Sequence, residues 1–268
     1  MRYLTLLAIM ALTILGCKEQ KEEVTPDDIT TFEETAVETS VIYPDALAKV
    51  LEVHGGLEQW SGMNSLTFSL EKGDGVETHT VHLKDRRTRI DGQGWSIGSD
   101  DGAVWLDQEA DGLFEGNARF YHNLYFYFYA MPFVLADEGI RYSEAEPMEI
   151  DGVSYPGIRI SYMDGVGDSS KDEYILYFDP ESYVMKWLAY TVTYSSGESS
   201  EDWRYIKYSK WSPINGLTLP ASLTWYQMEE GKPTVPRNEL VFSNVNITAD
   251  SPGEEFFDKP SSAVVVDR

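Results

Sequence analysis

The chain has 268 residues, a formal net charge of −24 and 42% hydrophobic residues, enough apolar material for one sizeable core and too much for global disorder. With 45 acids against 21 bases it lacks the basic surface that phosphate neutralisation requires, so a nucleic-acid role is excluded and docking on anionic lipid through a charged face is disfavoured. The single cysteine rules out an internal disulfide and a Cys-rich zinc cluster.

Arg2 precedes an apolar run from Tyr3 to Leu15, which is too short to span a bilayer and fits the apolar region of a signal peptide. The run leads into Ile14-Leu15-Gly16-Cys17, which looks like a lipobox: residues 1–16 are expected to be removed and Cys17 to be lipidated. Residues 17–42 carry eight acids and two bases and have little to bury, so a flexible acidic tether is expected there. Within it, Lys21-Glu22-Glu23 resembles the export signal of bacteroidete surface lipoproteins; the plain alternative is a solvated spacer on a protein facing the periplasm. Either way the expected location is the bacterial outer membrane.

The folded part is expected over residues 43–268 as a single domain. It opens with Pro44-Asp45 and a helical spacing of Ala46, Leu47, Val50 and Leu51 that ends at His54-Gly55-Gly56, followed by a short turn through Leu57 and Trp60. Thereafter the period is two. Strands are predicted at 66–70, 76–83, 88–90, 103–106, 140–148, 153–163, 174–178, 184–194, 203–211, 217–228 and 240–247, with turn signals at Asp151-Gly152, Asp179-Pro180, Ser196-Gly197, Asn215-Gly216 and Glu230-Gly231. About ten or eleven antiparallel strands with hairpin connections imply a mainly β (α+β) fold, one large curved antiparallel sheet or incomplete β-barrel. The segment from Ala118 to Met131 breaks the pattern. It is apolar or aromatic on nearly every side, so it is expected to be an enclosed helical plug, with a very aromatic strand as the alternative.

Several patterns that carry chemistry elsewhere have plainer readings here. Gly94-Trp95-Ser96-Ile97-Gly98 matches a nucleophile elbow, but a turn follows instead of a helix and no histidine lies beyond His122, so a hairpin loop is expected. His79 and His82 sit three apart in a strand and point to opposite faces; His54 closes a helix, where a histidine meets the last carbonyls, and His122 is expected to make a polar contact. Asp107-Gln108-Glu109-Ala110-Asp111-Gly112 opens like a calcium loop, yet its twelfth position is Ala118 and no helices flank it. Asp164, Asp168, Asp172 and Glu173 form a second acidic loop without that spacing, and no carboxylate pair stands out for glycoside chemistry. No catalytic residue, metal or cofactor is therefore expected. The 17 Tyr, 11 Phe and 7 Trp are the main signal of a binding cavity, lined in this reading by Trp95, Trp105, Phe120, Leu124, Phe128, Met131, Phe133, Trp187 and Trp225.

Four stretches carry a family resemblance: Val53-His54-Gly55-Gly56 with Trp60, Asn123 to Leu135, Leu176 to Tyr183, and Asn215 to Pro220. On these the chain resembles an uncharacterised family of bacteroidete lipoproteins and, by pattern, the lipoprotein-carrier superfamily of LolA, LolB and LppX-type proteins. That resemblance implies an incomplete barrel around a helical plug, here residues 120–135, with a cavity for acyl chains and no catalysis. Anchoring through Cys17 departs from the soluble carriers and favours an acceptor, sensor or surface binder over a shuttle. The expected partners are the membrane, through the anchor, and a lipid or other hydrophobic small molecule. The rival readings are an acidic envelope module that binds a protein and no small ligand, and a surface hydrolase.

Overall fold

A computed structural model describes residues 43–73, 75–163 and 165–267. The signal peptide, the lipidation site Cys17, the tether and Asp164 of the second acidic loop lie outside the described residues. Helix α1 (Asp45–Val53) buries Leu47, Val50 and Leu51 at helical spacing, and α2 (Leu57–Ser61) buries Trp60. The α1–α2 bend needs Gly55. Its φ is +112°, and a Cβ there would sit 2.5 Å from the carbonyl oxygen of Gly216.

Thirteen antiparallel strands form one sheet that does not close. In chain order they are β1 (Ser65–Lys72), β2 (Gly75–His82), β3 (Thr88–Asp91), β4 (Trp95–Asp100), β5 (Ala103–Gln108), β6 (Ile140–Ile150), β7 (Val153–Tyr162), β8 (Tyr174–Phe178), β9 (Met185–Tyr190), β10 (Arg204–Ile214), β11 (Leu217–Glu229), β12 (Lys232–Thr248) and β13 (Val264–Val266). Their order across the sheet is β13-β5-β4-β3-β2-β1-β12-β11-β10-β9-β8-β7-β6. The 17-residue β12 is the joint. Its first part pairs with β11 and its second part with β1, so it unites the meander β6–β11 with the meander β1–β5. The Asn215-Gly216 turn has φ of 48° and 78°, the left-handed pair that a two-residue hairpin requires.

The count exceeds the expected ten or eleven because two strands were hidden. Residues 94–98 are not a hairpin loop: Trp95–Asp100 is β4, paired on both sides. Gly98 is there for space, since a Cβ would lie 2.1 Å from the Trp105 ring that covers it. The other is β13, a three-residue edge strand on β5.

The aromatic segment is helical but interrupted. Helix α3 (Ala118–Tyr121) is capped by the Asn117 side chain, which accepts from the Phe120 amide at 2.9 Å. The chain leaves helical geometry at Asn123, resumes as α4 (Leu124–Tyr129), and ends in a 3₁₀ turn over Phe133–Ala136. Its rings meet several parts of the sheet. Tyr129 packs on Phe68 of β1 and Phe242 of β12, Phe128 on Tyr190 of β9 and Trp225 of β11, and Phe133 stacks on Trp60 of α2. One continuous core therefore runs from β1 and β2 through this segment to β7 and β8, which requires the sheet to curl around it. Burying so many rings contributes about 1.5–3 kcal/mol for each fully enclosed side chain before entropy is counted.

Candidate ligand cleft

Phe120, Leu124 and Phe128 recur every four residues and form one edge of the aromatic segment. On one side of this ridge lies a cleft of about 190 Å³ facing β7, β8 and the loop between them. On the other lies an open trough of about 1220 Å³ that runs toward Trp225, Tyr226 and Met228 of β11. All three ridge residues border both spaces.

The small cleft is walled by rings. Tyr127, Tyr162, Tyr174 and Tyr194 join Phe120 and Phe128 in its lining. Alternation dictates the strand contributions: Ile158, Ile160 and Tyr162 of β7, and Tyr174, Leu176 and Phe178 of β8, point to the helix-bearing face. Tyr162 and Tyr174 meet edge to face, with centroids 6.0 Å apart, and Phe120 packs against Tyr194 at 5.1 Å. Burial raises the phenols of Tyr127, Tyr162 and Tyr174 above their ordinary range, so they are neutral donors.

Polar groups sit at the rim. Arg119 donates to both carboxylate oxygens of Asp168 at 2.7 and 2.9 Å, and that bond raises the guanidinium further. Arg86 makes a similar fork with Asp137 at 2.7 and 2.9 Å; burial still lifts the Asp137 carboxyl above its usual range. Asp172 accepts from the Thr193 amide and hydroxyl, and burial outweighs those bonds to raise its carboxyl as well.

The remaining residues of the expected lining fall elsewhere. Trp225 borders the open trough, and its indole Nε1 donates to the Tyr190 hydroxyl at 2.9 Å. Met131 and Phe133 lie behind the ridge, each 1% exposed in the core. Trp95 packs on Phe114 at 4.9 Å in a separate cluster under β4 and β5. Trp105, opposite Gly98 in the register, occupies the face away from the helices. Trp187 is on that outer face too, against Tyr226 and under Lys207. The cleft tyrosines were absent from the expected lining, although the period-two placement of Tyr162 and Tyr174 with aliphatic neighbours could have revealed them.

Where α3 and α4 cross β2, the arrangement is closed. Glu77 accepts from the Tyr121 hydroxyl at 2.6 Å and from His79 Nε2 at 3.2 Å, while His79 stacks on Phe68 at 4.8 Å. Burial alone would raise the Glu77 carboxyl; the two hydrogen bonds, with the charges of His79 and Lys72, hold it below its ordinary range. Burial lowers His79 despite its carboxylate neighbour. With His79 only 1% exposed, this trio braces the segment and presents no group to a substrate. His82, on the opposite face, approaches Asp85 at 2.6 Å. His54 Nδ1 donates to the Val50 carbonyl at 2.7 Å, and His122 Nδ1 meets the Arg119 carbonyl. Among the described residues no group of three or more His, Cys, Asp or Glu is placed to hold a metal, and residues 107–112 run from the end of β5 into a turn. Among those residues, too, no helix is long and apolar enough to cross a membrane.

A family model described as a family of unknown function, DUF6503, matches residues 103–235, just under half of the chain. No curated protein matches. Among solved structures, a DUF1329 family protein from Desulfovibrio piger aligns with a TM-score of 0.45 at 13% identity, over 80% of this chain and 98% of that one. A LolA superfamily protein from Nitrosomonas europaea follows at 0.44 and 10% identity, over 78% and 96%. More distantly, the lipoprotein LppX from Mycobacterium tuberculosis aligns at 0.23 and 14% identity, over 55% and 88%. LolA and LppX-type proteins, named above from the sequence resemblance, are among these structural neighbours.

Proposed function

We propose that this chain is an envelope lipoprotein of the outer membrane, anchored through an acylated Cys17, whose folded domain holds an apolar ligand along the Phe120–Leu124–Phe128 ridge and does no chemistry on it. In this reading residues 1–16 are the signal peptide, 17–42 the tether, and 43–268 the binding domain. The supporting observation is the ridge itself. Phe126, Phe128 and Tyr129 are buried in the core, while Phe120 and Leu124 stay partly exposed between the cleft and the trough. An apolar edge bordered by concave space offers an apolar ligand contact on both of its sides.

Size limits the ligand. The cleft of about 190 Å³ is close to cavities that admit one small ring and smaller than most drug-sized pockets. It suits a single chain or ring, with any larger portion lying in the trough beyond Leu124. The anchor argues for holding or sensing rather than shuttling.

The test is a calorimetric titration of the full chain with octyl glucoside below its micelle concentration. Saturable binding near one equivalent is expected, lost in Leu124→Glu and retained in Val265→Glu, a change at an exposed position on the edge strand β13. Binding that ignores Leu124→Glu would place the ligand elsewhere and refute the reading.

A further inference from the structure

The smaller cleft combines ring faces with an excess of carboxylates. Its lining holds Asp137, Glu138, Asp168 and Asp172 against one base, Arg119. Arg119 is committed to Asp168, and Arg86 neutralises Asp137 from outside the lining. Two acids remain. Asp172 is held by Thr193, a neutral donor, and Glu138 forms no ion pair among the described residues. The same lining holds the near-perpendicular pair Tyr162 and Tyr174 and the pair Phe120 and Tyr194.

An anion entering this space would meet two uncompensated carboxylates and the negative faces of the rings. An ammonium gains from both, because ring faces attract cations and the carboxylates supply the counter-charge. Resting on the apolar-cleft reading, we infer that the ligand is a cationic amphiphile: a substituted ammonium seated among Tyr162, Tyr174, Asp172 and Glu138, its single apolar tail running along the Phe120–Leu124–Phe128 ridge. Fatty acids and lipids with anionic heads are excluded from the site by the same charges.

The experiment compares four probes on the full chain by calorimetry, in about 0.3 M salt to screen remote surface charge: octyltrimethylammonium, octyl sulfate, octyl glucoside and tetramethylammonium. Octyltrimethylammonium is expected to bind at least about tenfold tighter than octyl sulfate. The preference should shrink to within about threefold in Glu138→Gln/Asp172→Asn, through loss of octyltrimethylammonium affinity. Because Asp172 also ties down Thr193, Glu138→Gln alone, at an exposed position, provides a second variant and should lose part of the preference. Equal or tighter binding of the sulfate, or a preference that both variants keep, would overturn the cationic head while leaving the apolar cleft intact. Tetramethylammonium binding as tightly as its octyl counterpart would overturn the amphiphile. Failure of octyl glucoside and every other probe to bind would remove the cleft reading and this inference with it.

Discussion

Where it crosses β1 and β2 the aromatic segment is sealed to the sheet, whereas a cleft opens beside it at the Tyr162 end of β7 and the Tyr174 end of β8, although Ile158, Ile160, Leu176 and Phe178 of those strands share its core. On the sealed side Tyr129 lies on Phe68, His79 stacks beneath, and the Glu77–His79–Tyr121 hydrogen bonds lock α3 over β2. On the open side the tyrosines of β7 and β8 face the ridge across a gap. Both sides are equally rich in rings, so aromatic content alone does not separate a core from a binding surface. Polar bracing does. Glu77, His79 and Tyr121 satisfy one another and hold one edge closed, and Arg119, Asp168 and Asp172 pair at the rim of the other and leave its rings facing the cleft.

Truncation should separate the two sides most clearly. Phe68→Ala on the sealed side should cost about 3–5 kcal/mol of stability, read from urea midpoints. Phe120→Ala on the ridge, where the ring is half-exposed, should cost under about 1 kcal/mol. Similar losses at both positions would show that the segment is packed alike on its two sides.

Acid should weaken the sealed framework next. His54 is buried and neutral at the end of α1, where burial lowers its pKa to about 4. The unfolded chain takes up that proton near its ordinary value of 6.5, so the contribution is complete above that pH and declines between 6.5 and about 4. The loss across that window is about 3 kcal/mol, and His54→Leu should flatten the decline in a series of urea titrations. Glu77 acts in the same direction by a different route. Its depressed carboxyl stabilises the fold above the unfolded pKa, and that stability disappears as pH falls through the folded value. Glu77→Gln should cost about 1–3 kcal/mol at neutral pH, because an amide cannot accept as a carboxylate does from Tyr121 and His79. Smallest in stability but decisive for function, Leu124→Glu should leave the unfolding free energy from urea titration within about 0.5 kcal/mol of the parent while removing ligand uptake.

Most strands were legible because a half-buried strand alternates, as Leu66, Phe68 and Leu70 do toward the core. β4 was illegible for a definite reason. Gly98 marks a close ring contact with a strand on the next position of the sheet, and that contact is invisible until Trp105 is paired opposite it. β13 consists of three valines, two of them exposed, at an edge where one-sided pairing leaves little pattern. The helical character of residues 118–131 followed from its all-round apolarity, but the break at Asn123 has no marker in that pattern. The ridge residues could be named from spacing. Of the acids at its rim, Asp168 and Asp172 showed only as an acidic loop without metal spacing and Asp137 and Glu138 gave no signal, because the sheet around these loops sets their course.

Binding on the open side requires that it hold a molecule. Native mass spectrometry of the full chain purified from its own cells, followed by solvent extraction, tests this directly. The prediction is one additional small amphiphile per chain, extracted by solvent and absent from Leu124→Glu. A Leu124→Glu protein that carries the same adduct as the parent, or a parent that carries none and takes up no octyl probe, would contradict it.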